Sequence, residues 1–109
     1  VARAVYSKCF LSFGYPTLTD TYVITPGDTG IVHDMTFWSN GSYQVLGSDA
    51  LTVALDNDAA FIWTIGAPKV AKGVYRWQGR QVFTDFITVT GWNLVPWWVR
   101  ICGYVLTPT

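Results

Sequence analysis

The chain has 109 residues, the size of one domain, and its seven Lys+Arg balance seven acids to a formal net charge of +0. That balance excludes a basic field able to hold a nucleic-acid backbone, and the uninterrupted apolar runs are too short for a transmembrane helix. Half of the residues are hydrophobic and 17% are aromatic, against only 13% charged, so a core can form but little solvating surface remains, which favours burying more than one face against copies of itself.

Every acid is Asp, a turn and cap residue, and Glu is absent. With Val, Thr, Tyr, Phe and Trp abundant, the composition points to strands. Turn signals recur at short intervals: Gly14-Tyr15-Pro16, Pro26-Gly27-Asp28, Ser39-Asn40-Gly41-Ser42, Gly47-Ser48-Asp49, Asp56-Asn57-Asp58, Gly66-Ala67-Pro68, Gly79 and Gly91. In chain order, strands are expected over 3–13, 18–25, 30–39, 42–47, 50–56, 59–66, 72–78, 85–90 and 97–106. Asn40-Gly41 favours a tight hairpin over 30–47. In 49–56, Leu51, Val53 and Leu55 alternate with Thr52 and Ala54, the pattern of a half-buried strand. Asp56-Asn57-Asp58 then turns the chain into the next strand. The fold class is an all-β antiparallel β-sandwich of eight or nine strands in one domain, 1–109. The chain opens without Met and without a charged-then-apolar leader, which reads as a processed product or an excised piece of something longer.

Two segments are apolar on both faces, Phe61-Ile62-Trp63 and Val95-Pro96-Trp97-Trp98-Val99, although an antiparallel sheet commonly turns one face to water. A partner subunit is the expected cover, which makes Phe61, Trp63, Trp97 and Trp98 interface candidates. For the adjacent Trp97 and Trp98, one core and one interface residue is the better reading.

The groups that carry catalysis are sparse. His33 is the sole histidine, no G-x-S-x-G elbow accompanies it, and neighbouring Asp34 falls on the other face of a strand. Asp56 and Asp58 flank Asn57 in one tight turn; a calcium ion could use them, but the full calcium-loop pattern is missing and an Asx-stabilised hairpin is the plainer reading. No phosphate-binding glycine loop occurs. The chain is therefore expected to bind rather than catalyse, with no metal and no cofactor. Trp92-Asn93, after Gly91, pairs an indole with an amide, the chemistry that packs on a pyranose face and bonds its hydroxyls. Trp92, Asn93, Asp56, Asn57 and Asp58 are the candidate ligand-binding residues. Cys9 and Cys102 stand in apolar strand-like runs near opposite ends, either as two buried free thiols or as a disulfide closing nearly the whole chain if the first and last strands are neighbours.

The last third carries a further pattern. Tyr75-Arg-Trp-Gln-Gly-Arg-Gln-Val-Phe83, a short strand Phe86-Ile-Thr-Val-Thr90 and a terminal Val99-Arg-Ile-Cys-Gly-Tyr-Val-Leu-Thr107 resemble the C-terminal ends of bacteriophage tail-fibre, minor-tail and receptor-binding proteins. The resemblance spans about 35 residues. It implies a trimeric β-sandwich head, jelly-roll or tumour-necrosis-factor-like, that sits on the virion and attaches it to a host cell-surface saccharide. No binding residue carries over from that family, and Gly79-Arg80-Gln81 and Gly103-Tyr104 match at positions that look structural. In a jelly roll the first and last strands commonly pair, which would bring Cys9 towards Cys102.

Overall fold

The computed structural model describes residues 3–39, 50–56, 58–64, 73–91 and 96–108. They form eight strands and no helix: β1 (Arg3–Gly14), β2 (Thr19–Val23), β3 (Thr29–Ser39), β4 (Ala50–Leu55), β5 (Asp58–Thr64), β6 (Gly73–Phe83), β7 (Phe86–Thr90) and β8 (Trp97–Pro108). Two antiparallel sheets result, with strand orders β1-β8-β3-β6 and β2-β7-β4-β5. The pairs β1·β8, β2·β7, β3·β6 and β4·β5 are those of one long hairpin bent at the β4–β5 turn. Rolling that hairpin up adds the pairs β3·β8 and β4·β7. This is a jelly roll, within the expected class.

Period-two alternation decides which way each strand faces. In β7, Ile87 and Val89 are buried while Phe86 and Thr88 are half-buried and Thr90 exposed. In β4, Val53 and Leu55 are buried between the half-buried Thr52 and Ala54. These side chains meet Val32, Met35, Phe37, Val99 and Ile101 from the other sheet in one core. Each such buried side chain contributes about 2 kcal/mol by removal from water. One end of the core is aromatic: the ring of Phe83, with no exposed surface, lies 5.1 Å edge-on from Phe10 and 6.4 Å from Tyr22. Phe10 is the extra residue of a bulge between Cys9 and Leu11, and the bulge turns its ring inward.

Gly103 has a steric reason that bears on the terminal motif. It stands opposite Val32 on the central strand β8, where a Cβ would overlap the carbonyl oxygen of Ile31 and crowd the backbone nitrogen of His33. Gly79, expected to end a strand, instead lies inside β6, which runs on to Phe83. It falls where the β3–β6 register slips between Val32 and Asp34, so the glycine marks a bulge and not a turn.

The 30–47 hairpin is not the pairing β3 uses. Both edges of β3 are occupied, by β6 and by β8, along its length. Asn-Gly is a local turn signal, whereas a jelly roll sends the chain after β3 into the opposite sheet. Asn40, Gly41 and the strand expected over 42–47 lie outside the described residues.

Other turns behave as their residues demand. Asp28 N donates to the Thr25 carbonyl at 3.0 Å, with Pro26 and Gly27 between and Gly27 at φ 94, the geometry of a type II turn. Asp56 adopts φ 51, a left-handed conformation that Asp tolerates. Its carboxylate accepts from the backbone nitrogens of Thr84 (2.9 Å), Asp85 (2.7 Å) and Phe86 (3.0 Å), while its own N–H donates to the Phe86 carbonyl at 2.9 Å. One side chain thus ties the β4–β5 turn to the β6–β7 turn.

Burial pushes the Asp56 carboxyl up, but the bonds from Thr84, Phe86 and Asp85 outweigh it and hold the group below its ordinary 3.8. A depressed folded-state value stabilises the fold above the unfolded carboxylate range, and that stabilisation is lost as pH falls through the depressed value. Asp56→Asn keeps a residue suited to the left-handed backbone and removes the charge. It is expected to cost about 1–2 kcal/mol at neutral pH. Denaturant melts at neutral and acid pH check this: the gap between variant and parent should close on the acid side, and a pH-independent gap would contradict the charge argument.

Candidate functional site

The sequence-selected residues separate into several groups. Trp92, Asn93 and Asn57 lie outside the described residues. Asp58, Phe61 and Trp63 belong to β5, the edge strand of its sheet, opposite Leu55, Val53 and Leu51 respectively. Asp56 is engaged in the turn just described, so its carboxylate has a structural task rather than a ligand to hold. Trp97 is 1% exposed and packs edge-on against Phe13 at 5.4 Å. Of the two adjacent tryptophans it is the core residue; the interface assignment fails for it because alternation sends Trp97, Val99 and Ile101 inward. Trp98, pointing the other way, is half-buried on the outer face. His33 is exposed. Cys9 and Cys102 stand opposite one another in the β1–β8 ladder and form a disulfide, so the free-thiol alternative gives way.

The outer face of β1-β8-β3-β6 assembles a site that the linear sequence does not display. The strand registers place side chains in rows across the sheet. One row holds Val74, Trp38, Trp98 and Gly14. The next holds Arg76, Thr36, Arg100 and Ser12. A third holds Gln78, Asp34 and the Cys102–Cys9 bridge. Adjacent strands lie about 4.8 Å apart, so the Cα atoms of Arg76 and Arg100, one on each side of Thr36, are about 10 Å apart. A depression of about 140 Å³ opens here, lined by Asp34, Thr36, Arg76, Gln78 and Arg100, with Met35 and Trp77.

The disulfide supports this face. Arg100 Nε donates to Cys102 Sγ at 3.3 Å and its Nη2 to Cys9 Sγ at 3.5 Å. These weak bonds lay the guanidinium along the bridge and leave its other N–H groups for something else. Asp34, Arg76 and Gln78 make no side-chain hydrogen bond or ion pair with any described residue. A carboxylate, an amide, a hydroxyl and two guanidiniums therefore converge on one concavity with hydrogen-bonding capacity to spare, beside two half-buried indoles. This is an arrangement for holding a polar ligand with one apolar face. Among the described residues no group of three His, Cys, Asp or Glu could hold a metal ion.

The signal for these residues was present as alternation. Asp34-x-Thr36-x-Trp38 and Arg76-x-Gln78 each present polar or amphipathic groups at every second position, the outward face of a strand. What the sequence could not supply was that β3, β6 and β8 are neighbours.

No family model matches the chain, and no curated protein matches it. Among solved structures, the chain is similar to one in the structure of the infectious bursal disease virus Gx strain, with 12% sequence identity and a TM-score of 0.35. The likeness covers 96% of this chain and 32% of that one, so the chain spans about a third of the length of this viral neighbour.

Proposed function

We propose that the chain is a saccharide-binding jelly-roll head of a virion attachment fibre, that it has no catalytic role, and that the outer face of β1-β8-β3-β6 is its binding surface. The observation that carries the reading is the pair Trp38 and Trp98, directly opposed across the β3–β8 ladder and both half-buried, one row from Arg76, Thr36 and Arg100. Indoles offer flat apolar surface for a pyranose ring, while the neighbouring guanidiniums, amide and carboxylate suit its hydroxyls. The resemblance of the terminal sequence pattern to phage receptor-binding proteins supports the fibre setting. The same reading makes the working unit a homotrimer, and light scattering that returns a stable monomer would count against that part.

Binding to a glycan array and to host cell walls is the direct test. Trp98→Ala is expected to lower affinity at least tenfold, about 1.4 kcal/mol, while leaving the thermal melt near that of the parent, because Trp98 lies outside the core. Absence of binding to every glycan and cell wall would leave a structural tip protein instead.

A further inference from the structure

The two sheets differ sharply in charge. Of the seven Lys+Arg, five stand on the strands of β1-β8-β3-β6, namely Arg3, Lys8, Arg76, Arg80 and Arg100, against one acid, Asp34. The strands of β2-β7-β4-β5 carry Asp20 and Asp58 and no Lys or Arg. Of these, Arg76 and Arg100 line the depression itself, whereas Lys8 sits over the Tyr22 ring of the other sheet, so the cations that bear on the depression are this arginine pair. A neutral sugar needs no such pair. An acidic one is drawn by it and held at the short range where charge-assisted bonds form.

We propose that the Arg76–Thr36–Arg100 row seats a carboxylate or phosphate group of an anionic polysaccharide, with Trp38 and Trp98 under the adjoining sugar ring. The inference rests on the saccharide-binding reading above and specifies its ligand class.

Three features of the row suit an anion. Arg76 and Arg100 stand on the strands either side of Thr36 and all three line the depression, so an anion seated there has two cationic side chains and a hydroxyl around it. Arg100 is held in place by the disulfide sulfurs, which reduces the ordering that binding must supply. Arg76 has no competing partner among the described residues. Asp34, in the next row, leaves the depression with a net charge of about +1 from two guanidiniums and one carboxylate. Its carboxylate suits a sugar hydroxyl as donor and disfavours a polyanion lying across that row, so the recognised anion is a single group and not a dense run of phosphates.

The test uses the intact protein and three immobilised polymers: a uronic-acid polysaccharide, a phosphodiester-linked polyol polymer and a neutral glucan. Binding is measured at low and high salt for the parent, for Arg76→Gln/Arg100→Gln and for a control, Lys8→Gln/Arg80→Gln, which removes two cations of the same sheet outside the depression. Folding of each variant is checked by thermal melt. The expected result is retention by at least one acidic polymer and not by glucan, weakening at high salt, a loss of tenfold or more in the first variant and of less than twofold in the control. The two acidic polymers distinguish carboxylate from phosphate as the source of the anion. Equal binding of glucan with the arginine variant unaffected would overturn the anion seat and leave saccharide binding standing. Equal losses in variant and control would overturn the seat in favour of a diffuse field. Retention on none of the polymers or glycans would overturn both readings.

Discussion

Trp97→Ala is expected to destabilise the fold by about 3–5 kcal/mol, whereas the same truncation at Trp98 should cost about 1 kcal/mol or less. The contrast follows from alternation on β8. Trp97 is 1% exposed and is the largest of the fully buried side chains. Its ring meets Phe13 at an interplanar angle of 80° and occupies the space above Gly91, where a Cβ would collide with it. Its backbone carbonyl also accepts from Tyr15 N at 3.0 Å, which fixes this end of β8 against the loop after β1. Alanine removes the indole but not the strand that holds the cavity walls apart, so the void cannot collapse and the cavity cost adds to the lost transfer energy. A loss of this size is a large fraction of a typical domain stability of about 5–15 kcal/mol. Denaturant melts of both variants check it. Similar losses at the two positions would mean that β8 does not divide its faces as described, and Trp97→Phe, which refills part of the space, should recover a portion of the Trp97→Ala loss.

The sequence was most legible where structure is local. The alternation of Val53 and Leu55 with Thr52 and Ala54 named core positions outright, because the period of a strand is written in consecutive residues. Pro26-Gly27 announced its turn for the same reason. Asn40-Gly41 misled, since turn propensity says that the chain can reverse but not which strand it will meet, and β3 is already flanked by β6 and β8. Asp56 was read correctly as a turn residue, but its hydrogen-bond partners are 28–30 positions away and no local signal names them. The candidate site has the same limit. Asp34, Thr36, Arg76, Gln78 and Arg100 each look like ordinary outward strand residues, and they become a site only when the roll brings three distant strands side by side. The pairing of an indole with an amide drew attention to Trp92-Asn93, whereas Trp98 is hidden in an apolar run between Trp97 and Val99, and Trp38 follows the core residue Phe37 with nothing local to mark it as part of a site.

Reduction of the Cys9–Cys102 disulfide, or Cys9→Ala/Cys102→Ala, is expected to cost about 4–5 kcal/mol. The bridge joins residues 93 positions apart, so in the unfolded chain it removes the conformations of nearly the whole molecule, and loop-closure entropy for a loop of about this length gives that magnitude. The native fold should survive the loss in weakened form, because β1 and β8 remain paired on both sides of the bridge and Leu11, Val99 and Ile101 stay buried. Replacing both cysteines is the cleaner experiment, since a single substitution leaves an unpaired thiol at the other position. Urea melts of parent and double variant, each with and without reductant, check the expectation: reductant should shift only the parent, and bring it to the variant's midpoint. A parent unmoved by reductant, with two thiols titratable after unfolding, would show that the bridge is not formed. A shift of less than about 1 kcal/mol with the bridge present would show instead that β1 and β8 stay associated in the denatured chain, leaving the cross-link little entropy to remove. Because Arg100 rests on both sulfurs, the double variant should also weaken ligand binding in the arginine row while Trp98→Ala leaves the reductant response intact, which separates the disulfide's contribution to the fold from its contribution to the site.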